Sequence, residues 1–418
     1  MKNVYNMRFG FWISLFVIWV LSFGFSRAAT IEELKSTIEE REGQIKEIEA
    51  EIESYQRQID AKVAESSTLK NEISRLEALL KKLNAEIRLT QSKIQASQLT
   101  LEKLTIEIGN KSEEIEEQKA ALGEILRSLY ESESESLVEI LLKHRALSDF
   151  FGALRQIENL EKAVQEDLEI LKTLKKELEE REAQELAAKK KLVDLSSELK
   201  DRRAIEETGR QNRNQLLKIT KNKEAEYQKL LREREKQRSL IIEDIRKIED
   251  ELRLLIDPSS LPAPRPGVLA WPLENPKITQ GFGRTDFAIN TDVYGEKSHN
   301  GIDLRASVGT PILSAQDGVV KATGNSDLIC PGGSYGNWIL IEHPNRLATL
   351  YAHLSHVRVS MDSNVLRGDV IGYSGDTGYT TGPHLHFTVY DARTVQIKPS
   401  RVCGLLPYGG YLDPMVYL

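Results

Sequence analysis

Five residues in the last third of this chain have the types and spacing of a hydrolytic metal site. His299 and Asp303 stand four apart in the run His299-Asn300-Gly301-Ile302-Asp303, and His353 lies in Tyr351-Ala352-His353-Leu354. His384 and His386 flank Leu385 in Gly382-Pro383-His384-Leu385-His386-Phe387. On a strand, side chains two apart share a face, so His384 and His386 can both point into one site. Two imidazoles and a carboxylate, with water in the remaining position, make a catalytic zinc centre. Zinc lowers the pKa of its water and polarises a carbonyl. Neutral histidines nearby can take up the water's proton or stabilise an oxyanion. A lone His–Asp pair four apart is ordinarily structural, but these three islands fall within 88 residues of one another. His343 and His356, in the same region, read as strand-end or surface residues, and His144 as a solvated helix residue.

The elements that must hold these residues are short and β-rich. Apolar runs at Pro311 to Ser314, Gly318 to Ala322, Trp338 to His343, Val370 to Tyr373 and Leu385 to Tyr390 alternate with glycine turns. That pattern predicts a compact, mostly antiparallel β domain. All 13 prolines lie at or after Pro258, and six of them fall between Pro258 and Pro276. This cluster ends any preceding helix and predicts a stiff, extended connector.

Upstream the character is opposite. From Ile31 to Pro264 there are 42 Lys+Arg and 51 Asp+Glu, and no proline before Pro258. Apolar residues recur at three-four spacing from Ile31 through Leu34, Ile38, Ile45, Ile59, Leu69, Leu76, Leu83, Leu104 and Ile115. A seam sustained over so many heptads predicts coiled coil, as one helix on the order of 120–130 Å long. The frame breaks around Gly123 to Gly152, where apolar clusters such as Leu137 to Leu142 and Phe150-Phe151 sit among acids and serines. A second tract then runs from Ile157 through Leu178 and, less regularly, to about Ile256. Two such helices can fold back as an antiparallel hairpin or pair in a parallel homodimer.

The N-terminus reads as an export signal. Lys2 and Arg8 precede the apolar run Phe9 to Phe25, and Ser26-Arg27-Ala28 offers a cleavage site. The run is close enough to spanning length that an uncleaved membrane anchor is the alternative. Either form delivers the rest of the chain outside the cytoplasm, to the periplasm or cell envelope. There, the only two cysteines, Cys330 and Cys403, could pair or remain two buried thiols. The net charge of −7 is modest and mixed in sign, which argues against nucleic-acid binding.

The tail resembles the lysostaphin/LytM-type family of zinc metallopeptidases. The runs that carry the likeness are Ile278 to Gly283, His299 to Asp303, Tyr335-Gly336-Asn337, Tyr351 to Leu354, Gly378, and Thr381 to Phe387. The resemblance implies a small, mostly β-sheet domain with its site in a groove walled by loops. It also implies zinc ligands at His299, Asp303 and His386, with His353 and His384 holding the water and stabilising the transition state. Many members carry an acidic residue after the Phe of the last motif, where this chain has Thr388. That departure bears on support of the site or substrate preference more than on catalysis. The helical region is similar to the coiled coils of exported murein hydrolase activators, and equally to a structural spacer rod.

The expected organisation is therefore a signal peptide or anchor at 1–28, a coiled coil at 29–256, a proline-rich linker at 257–276 and a zinc metallopeptidase domain at 277–418. The class is α + β in separate domains. The implied activity is hydrolysis of peptide bonds in peptidoglycan, during wall remodelling or cell division. The coiled coil is a candidate cover for the groove and a candidate contact for a membrane protein complex. The alternative is a non-catalytic activator of a separate wall amidase, and proteins of that kind typically lack one or more zinc ligands.

Overall fold

The computed structural model describes residues 30–63, 68–133, 147–284 and 298–418. The signal or anchor, the Leu137 to Leu142 cluster and His144 lie outside these residues. Among the described residues no helix is long and apolar enough to cross a membrane. Long helices precede an antiparallel β-sheet domain, which is the class expected.

Among the described residues, four helices occupy the N-terminal part: α1 (Ile31–Val63), α2 (Leu69–Glu133), α3 (Leu147–Thr220) and α4 (Glu224–Arg253). The unbroken helix expected from Ile31 to Ile115 is thus two elements. Thr68 accepts a hydrogen bond from the Asn71 N–H through its hydroxyl, the geometry of an N-cap. The seam itself skips from Ile59 to Leu69 around Ser66-Ser67-Thr68, a start signal that a heptad count overlooks. The second tract is also divided: Lys221 and Asn222 adopt φ of 49° and 54°, a left-handed turn that α-helix cannot contain.

By chain contacts the molecule forms two compact units, one with residues up to Lys46 and Gln91–Ser196, the other with Glu47–Thr90 and Ser197–Leu418. In the first, Glu107 pairs with Arg181, Lys111 with Glu177 and Gln118 with Asp167. Numbers rising in α2 meet numbers falling in α3, so the pairing is antiparallel and within one chain, as in the hairpin reading. In the second unit the same order holds, with Glu77 bonded to Arg213 and Glu86 to Arg202. There α1 also turns back on α2, through Glu51 and Arg88 and through Ile59 in one buried cluster with Ala78, Leu79 and Leu83.

The β domain in this second unit has strands β1 (Ile278–Gln280), β2 (Ile302–Arg305), β3 (Pro311–Leu313), β4 (Gly318–Asn325), β5 (Asn337–Glu342) and β6 (Leu347–Val357). It continues with β7 (Asn364–Val365), β8 (Val370–Ser374), β9 (His384–Asp391), β10 (Gln396–Ser400), β11 (Gly404–Tyr408) and β12 (Tyr411–Leu412). The main sheet runs β1-β2-β9-β6-β5-β4-β7, with β3 on β8, β8 on β6 and β12 on β9. All pairings are antiparallel. Strand alternation splits its residues between two faces. Ile339, Ile341, Tyr351, Leu385 and Phe387 fill one core, and Trp338, Leu340, Leu350 and Tyr390 fill another. The proline-rich segment is more than a spacer, because Leu269 and Leu273 are buried in the first core. Backbone bonds from Gly267 and Leu269 to the carbonyls of Leu418 and Tyr417 hold it there.

The second core is closed by the β10–β11 hairpin and by α4, whose Ile241 and Leu252 are buried in it. Cys330 and Cys403 form a disulfide across a sequence separation of 73, tying the turn after β4 to the β10–β11 turn. Closing so long a loop restricts the unfolded chain, by about 2–4 kcal/mol. Replacing both cysteines with serine is expected to lower the midpoint of thermal unfolding followed by circular dichroism. An unchanged midpoint would mean the bond constrains nothing that folding needs.

Candidate active site

Ladder register brings the five predicted residues together. β2 pairs with β9 so that Asp303 lies opposite His386, and β9 pairs with β6 so that His386 lies opposite Ala352. His299 joins through a bridge to Gly283, beside β1. His353 is placed by a bulge: the β5–β6 register shifts between Asn337↔Leu354 and Ile339↔Tyr351, and His353 takes φ of 62°. Bulges re-aim side chains, and a left-handed histidine is a strained conformation of the kind that gathers at functional sites. Gly301 has no room for a side chain. A Cβ there would lie 2.5 Å from the Phe387 carbonyl and 2.7 Å from the Thr388 hydroxyl, so the His-Asn-Gly turn can hug β9 only with glycine.

Asp303 Oδ1 lies 2.9 Å from His386 Nδ1 and 3.3 Å from His299 Nε2, and those two nitrogens are 3.1 Å apart. All three residues are buried. The remaining nitrogens are held from behind: His299 Nδ1 by the Gly281 carbonyl at 2.9 Å, and His386 Nε2 by the Thr388 hydroxyl at 2.9 Å. A carbonyl can only accept, so the Nδ1–H of His299 donates to Gly281 and its Nε2 faces Asp303 and His386 as a ligand atom would. With His386 Nε2–H donating to Thr388, His386 presents Nδ1. Such outer partners fix the orientation of metal-binding histidines. The donor set, one carboxylate and two imidazoles with ligand atoms within 4.8 Å of one another, fits a zinc ion.

Burial alone would raise the Asp303 carboxyl, but His299, His386 and His384 hold it well below the ordinary value. It is a carboxylate, as a ligand must be. His386 is pushed down by burial, against the pull of Asp303, and so is neutral.

His353 and His384 stand beside the ligands, with ring centroids 4.7 Å apart, and His353 is 5.9 Å from the His386 ring. Their Nδ1 atoms meet the carbonyls of Thr377 and Gly382, each at 2.8 Å. Each therefore carries a proton on Nδ1, which is held by its carbonyl. Burial, then the neighbouring His384 and His386, push His353 well below the usual histidine range.

Thr388 thus supports a ligand from the position where the family pattern has an acid. Thr388→Val should weaken zinc binding by about 10- to 100-fold while leaving the fold intact. Titration of zinc with a competing chelator measures this; unchanged affinity would dismiss the support.

The other two histidines of the domain stay outside the site. His343 is buried between the Asp317 carbonyl and the Thr349 hydroxyl, and His356 faces Asp201 of α3 at 3.5 Å. Glu249 of α4 and Tyr390 join the site through two residues of the motif runs, Asn300 and Tyr335. Tyr335 stacks on the His386 ring at 5.9 Å, and its hydroxyl is 3.3 Å from the Asn300 amide. That amide in turn donates to Glu249 of α4 at 2.8 Å, and Tyr390 donates to the same carboxyl at 3.1 Å. Glu249 has a sequence signal in retrospect. It borders the apolar stripe Ile241, Ile245, Ile248 and Leu252 and is itself 1% exposed.

Residues 297–399 match the profile of Peptidase family M23, so the C-terminal domain is an M23 metallopeptidase domain. The DD-carboxypeptidase/endopeptidase Mpg of Neisseria meningitidis serogroup B is 40% identical over 122 residues, covering 29% of this chain and 25% of that protein. Peptidoglycan DD-endopeptidase ShyA of Vibrio cholerae is 44% identical over 89 residues, 21% of this chain and 19% of that protein. A crystal structure of a zinc-containing peptidase from Vibrio cholerae shares 34% identity over 29% of this chain and 36% of that one, with a TM-score of 0.26. The chain thus spans a quarter or less of these two curated relatives.

Proposed function

We propose that the chain is an exported zinc endopeptidase that hydrolyses peptide bonds in the stem peptides or cross-links of peptidoglycan, in wall remodelling or cell division. The observation that carries this reading is the complete buried constellation of His299, Asp303 and His386 with His353 and His384 beside it. Zinc held there supplies Lewis-acid polarisation of the scissile carbonyl and a water of lowered pKa. Nε2 of His353, which is buried and held well below the usual histidine range, accepts the proton lost by the attacking water. His384, its ring 4.7 Å from that of His353, helps to hold the water and to stabilise the transition state, and the Thr377 and Gly382 carbonyls fix the orientation of both rings. The completeness of the set speaks against the activator alternative.

The test is digestion of cross-linked peptidoglycan by the zinc-loaded chain, with products identified by mass spectrometry. Cross-linked dimers are expected to fall to monomers with the sugar–peptide amide intact. An undigested wall, together with stimulation of an added amidase, would replace this reading with the activator.

The reading includes autoinhibition, with α4 as the cover. Support comes from the place where Glu249 is held, between Asn300, which neighbours His299, and Tyr390, four residues beyond His386 on the same face of β9. At the other end of the loops, Arg75 of α2 forms a 2.6 Å ion pair with Asp376, in the segment that leads to His384.

Burial pushes the Glu249 carboxyl from 4.5 up to about 8, overriding the hydrogen bonds from Asn300 and Tyr390. Asp250 raises it further and Arg253 opposes. The docked helix therefore keeps a proton that an undocked one loses between these two values. Docking is strongest at acid pH, weakens as pH rises through the window and levels off above about 8. Hydrolysis by the native chain should rise across this window more steeply than that of Glu249→Gln. Parallel pH profiles would remove Glu249 from the latch.

A further inference from the structure

One carboxylate of the β domain reaches across to the loop that serves His353. Asp327 follows β4, and both of its oxygens accept from backbone N–H groups. Oδ1 accepts from Gly332 of the same turn at 2.7 Å, and Oδ2 from Gly378, 51 residues away, at 2.8 Å. Two accepting oxygens are the pattern of an ionised carboxyl. Burial raises this carboxyl above its usual range, and the two amides and Arg234 of α4 oppose it. Taking a carboxylate out of water is costly, and the turn itself uses only one of the two oxygens. That turn is braced in its own right. The Ser326 hydroxyl donates to the Gly333 carbonyl and accepts from the Gly336 N–H, both at 2.8 Å, and Cys330 is tied to Cys403.

The Gly378 N–H belongs to the same peptide unit as the Thr377 carbonyl, which accepts from His353 Nδ1–H at 2.8 Å. The unit is planar and trans, so its N–H and C=O point to opposite sides, one to Asp327 and the other to His353. The Thr377 hydroxyl is fixed separately, donating to the Leu354 carbonyl at 2.8 Å and accepting from the Asn337 N–H at 3.0 Å. These bonds anchor the residue but leave the plane of the following peptide able to turn, because Gly378, at φ of 68°, tolerates backbone angles closed to other residues. A flip of that plane would take the carbonyl from His353 and aim it at the Asp327 carboxylate, oxygen against oxygen. The bond to Asp327 opposes the flip, and its charge polarises the peptide so that the carbonyl accepts more strongly.

We propose that Asp327 is a positioning residue for the base: through the Thr377–Gly378 peptide it holds the His353 ring in one orientation, with a proton on Nδ1. The role of His353 as base rests on the endopeptidase reading, whereas the hold on its ring rests on the hydrogen bonds alone.

The experiment compares the full, zinc-loaded chain with Asp327→Ala, or with Asp327→Asn, which has the same shape but cannot accept from both amides, if alanine prevents folding. Nitrogen-15 NMR of the histidine-labelled chain reports which ring nitrogen carries the proton, with the His353 signals assigned by their loss in His353→Ala. Rates on peptidoglycan give kcat and KM. The unsubstituted chain is expected to show His353 protonated on Nδ1, and Asp327→Ala a mixture of the two tautomers. Its kcat should fall by about 10- to 100-fold with KM and zinc content unchanged, as when a reacting group is misplaced and no binding contact is lost. Asp327→Asn should move both readouts in the same direction. Cys330→Ser with Cys403→Ser is the control for a merely structural role, because it loosens the same turn and keeps the carboxylate. That variant should lose thermal stability and keep the His353 tautomer. An unchanged tautomer or an unchanged kcat in the folded Asp327 variant overturns the assignment, and so does a mixed tautomer in the cysteine variant. A mixed tautomer in the Asp327 variant alone, in a chain that digests no wall even unsubstituted, keeps the hold on His353 and refutes the endopeptidase reading.

Discussion

Replacing His386 with alanine is expected to remove tightly bound zinc and to lower hydrolysis of peptidoglycan by about a thousandfold or more. Losing the metal forfeits several kcal/mol of transition-state stabilisation, and each 1.4 kcal/mol is a factor of ten. His386 is the pivot of the site, because its Nδ1 lies 2.9 Å from Asp303 and 3.1 Å from His299 while Thr388 fixes its other nitrogen. The informative comparison is His353→Ala. That residue touches the ligand cluster by ring proximity and binds the Thr377 carbonyl, so zinc should remain while kcat falls by about 10²–10⁴-fold. Zinc content by atomic absorption and rates on purified wall separate the two variants. Zinc retained by His386→Ala would remove it from the ligand set, and full activity in His353→Ala would take away its role as base.

Releasing α4 should have the second-largest effect, in the opposite direction. Ile241 is 1% exposed, among Cys330, Tyr335 and Trp338 of the second core. Burial of an isoleucine is worth about 1.5–3 kcal/mol. Ile241→Asp removes this term and places a charge against the disulfide, so the balance between docked and free helix should shift by at least about 10- to 100-fold. If the docked helix limits access to the site, hydrolysis by the full chain rises by a similar factor until the helix is mostly free. Asp244 with Arg401 and Arg253 with the Tyr411 ring also hold α4, so Ile241→Asp combined with Arg253→Ala should exceed the single change. Rates on wall substrate, with helix content followed by circular dichroism, decide the matter. An unchanged rate with an intact fold would show that α4 is a structural brace.

The five candidate residues were legible because metal chemistry restricts the residue types so severely. His299 and Asp303 on one strand approach, and His384 and His386 two apart on another, leave few alternatives once they sit in one β-rich region. Period-two runs marked β3, β4, β5, β8 and β9, yet the longest strand, β6, was seen only as the island around His353, because its bulge interrupts the alternation. The heptads declared the helices but misjudged where they end. Seam spacing is a local signal, and a reversal at Thr68 or at Lys221-Asn222 costs the pattern only a residue or two.

Residue type and short-range period suffice to read the candidate donor set, the two structural regimes and the existence of long amphipathic helices. Tertiary structure alone decided that α4 belongs with the β domain, that Glu249 is buried against Asn300 and Tyr390, and that Cys330 reaches Cys403. It also decided which imidazole nitrogen of each histidine faces the site, through carbonyls and a hydroxyl supplied by other segments. These are contacts between residues far apart in the chain. Their free energy depends on distance and burial in space, and nothing in local composition encodes either.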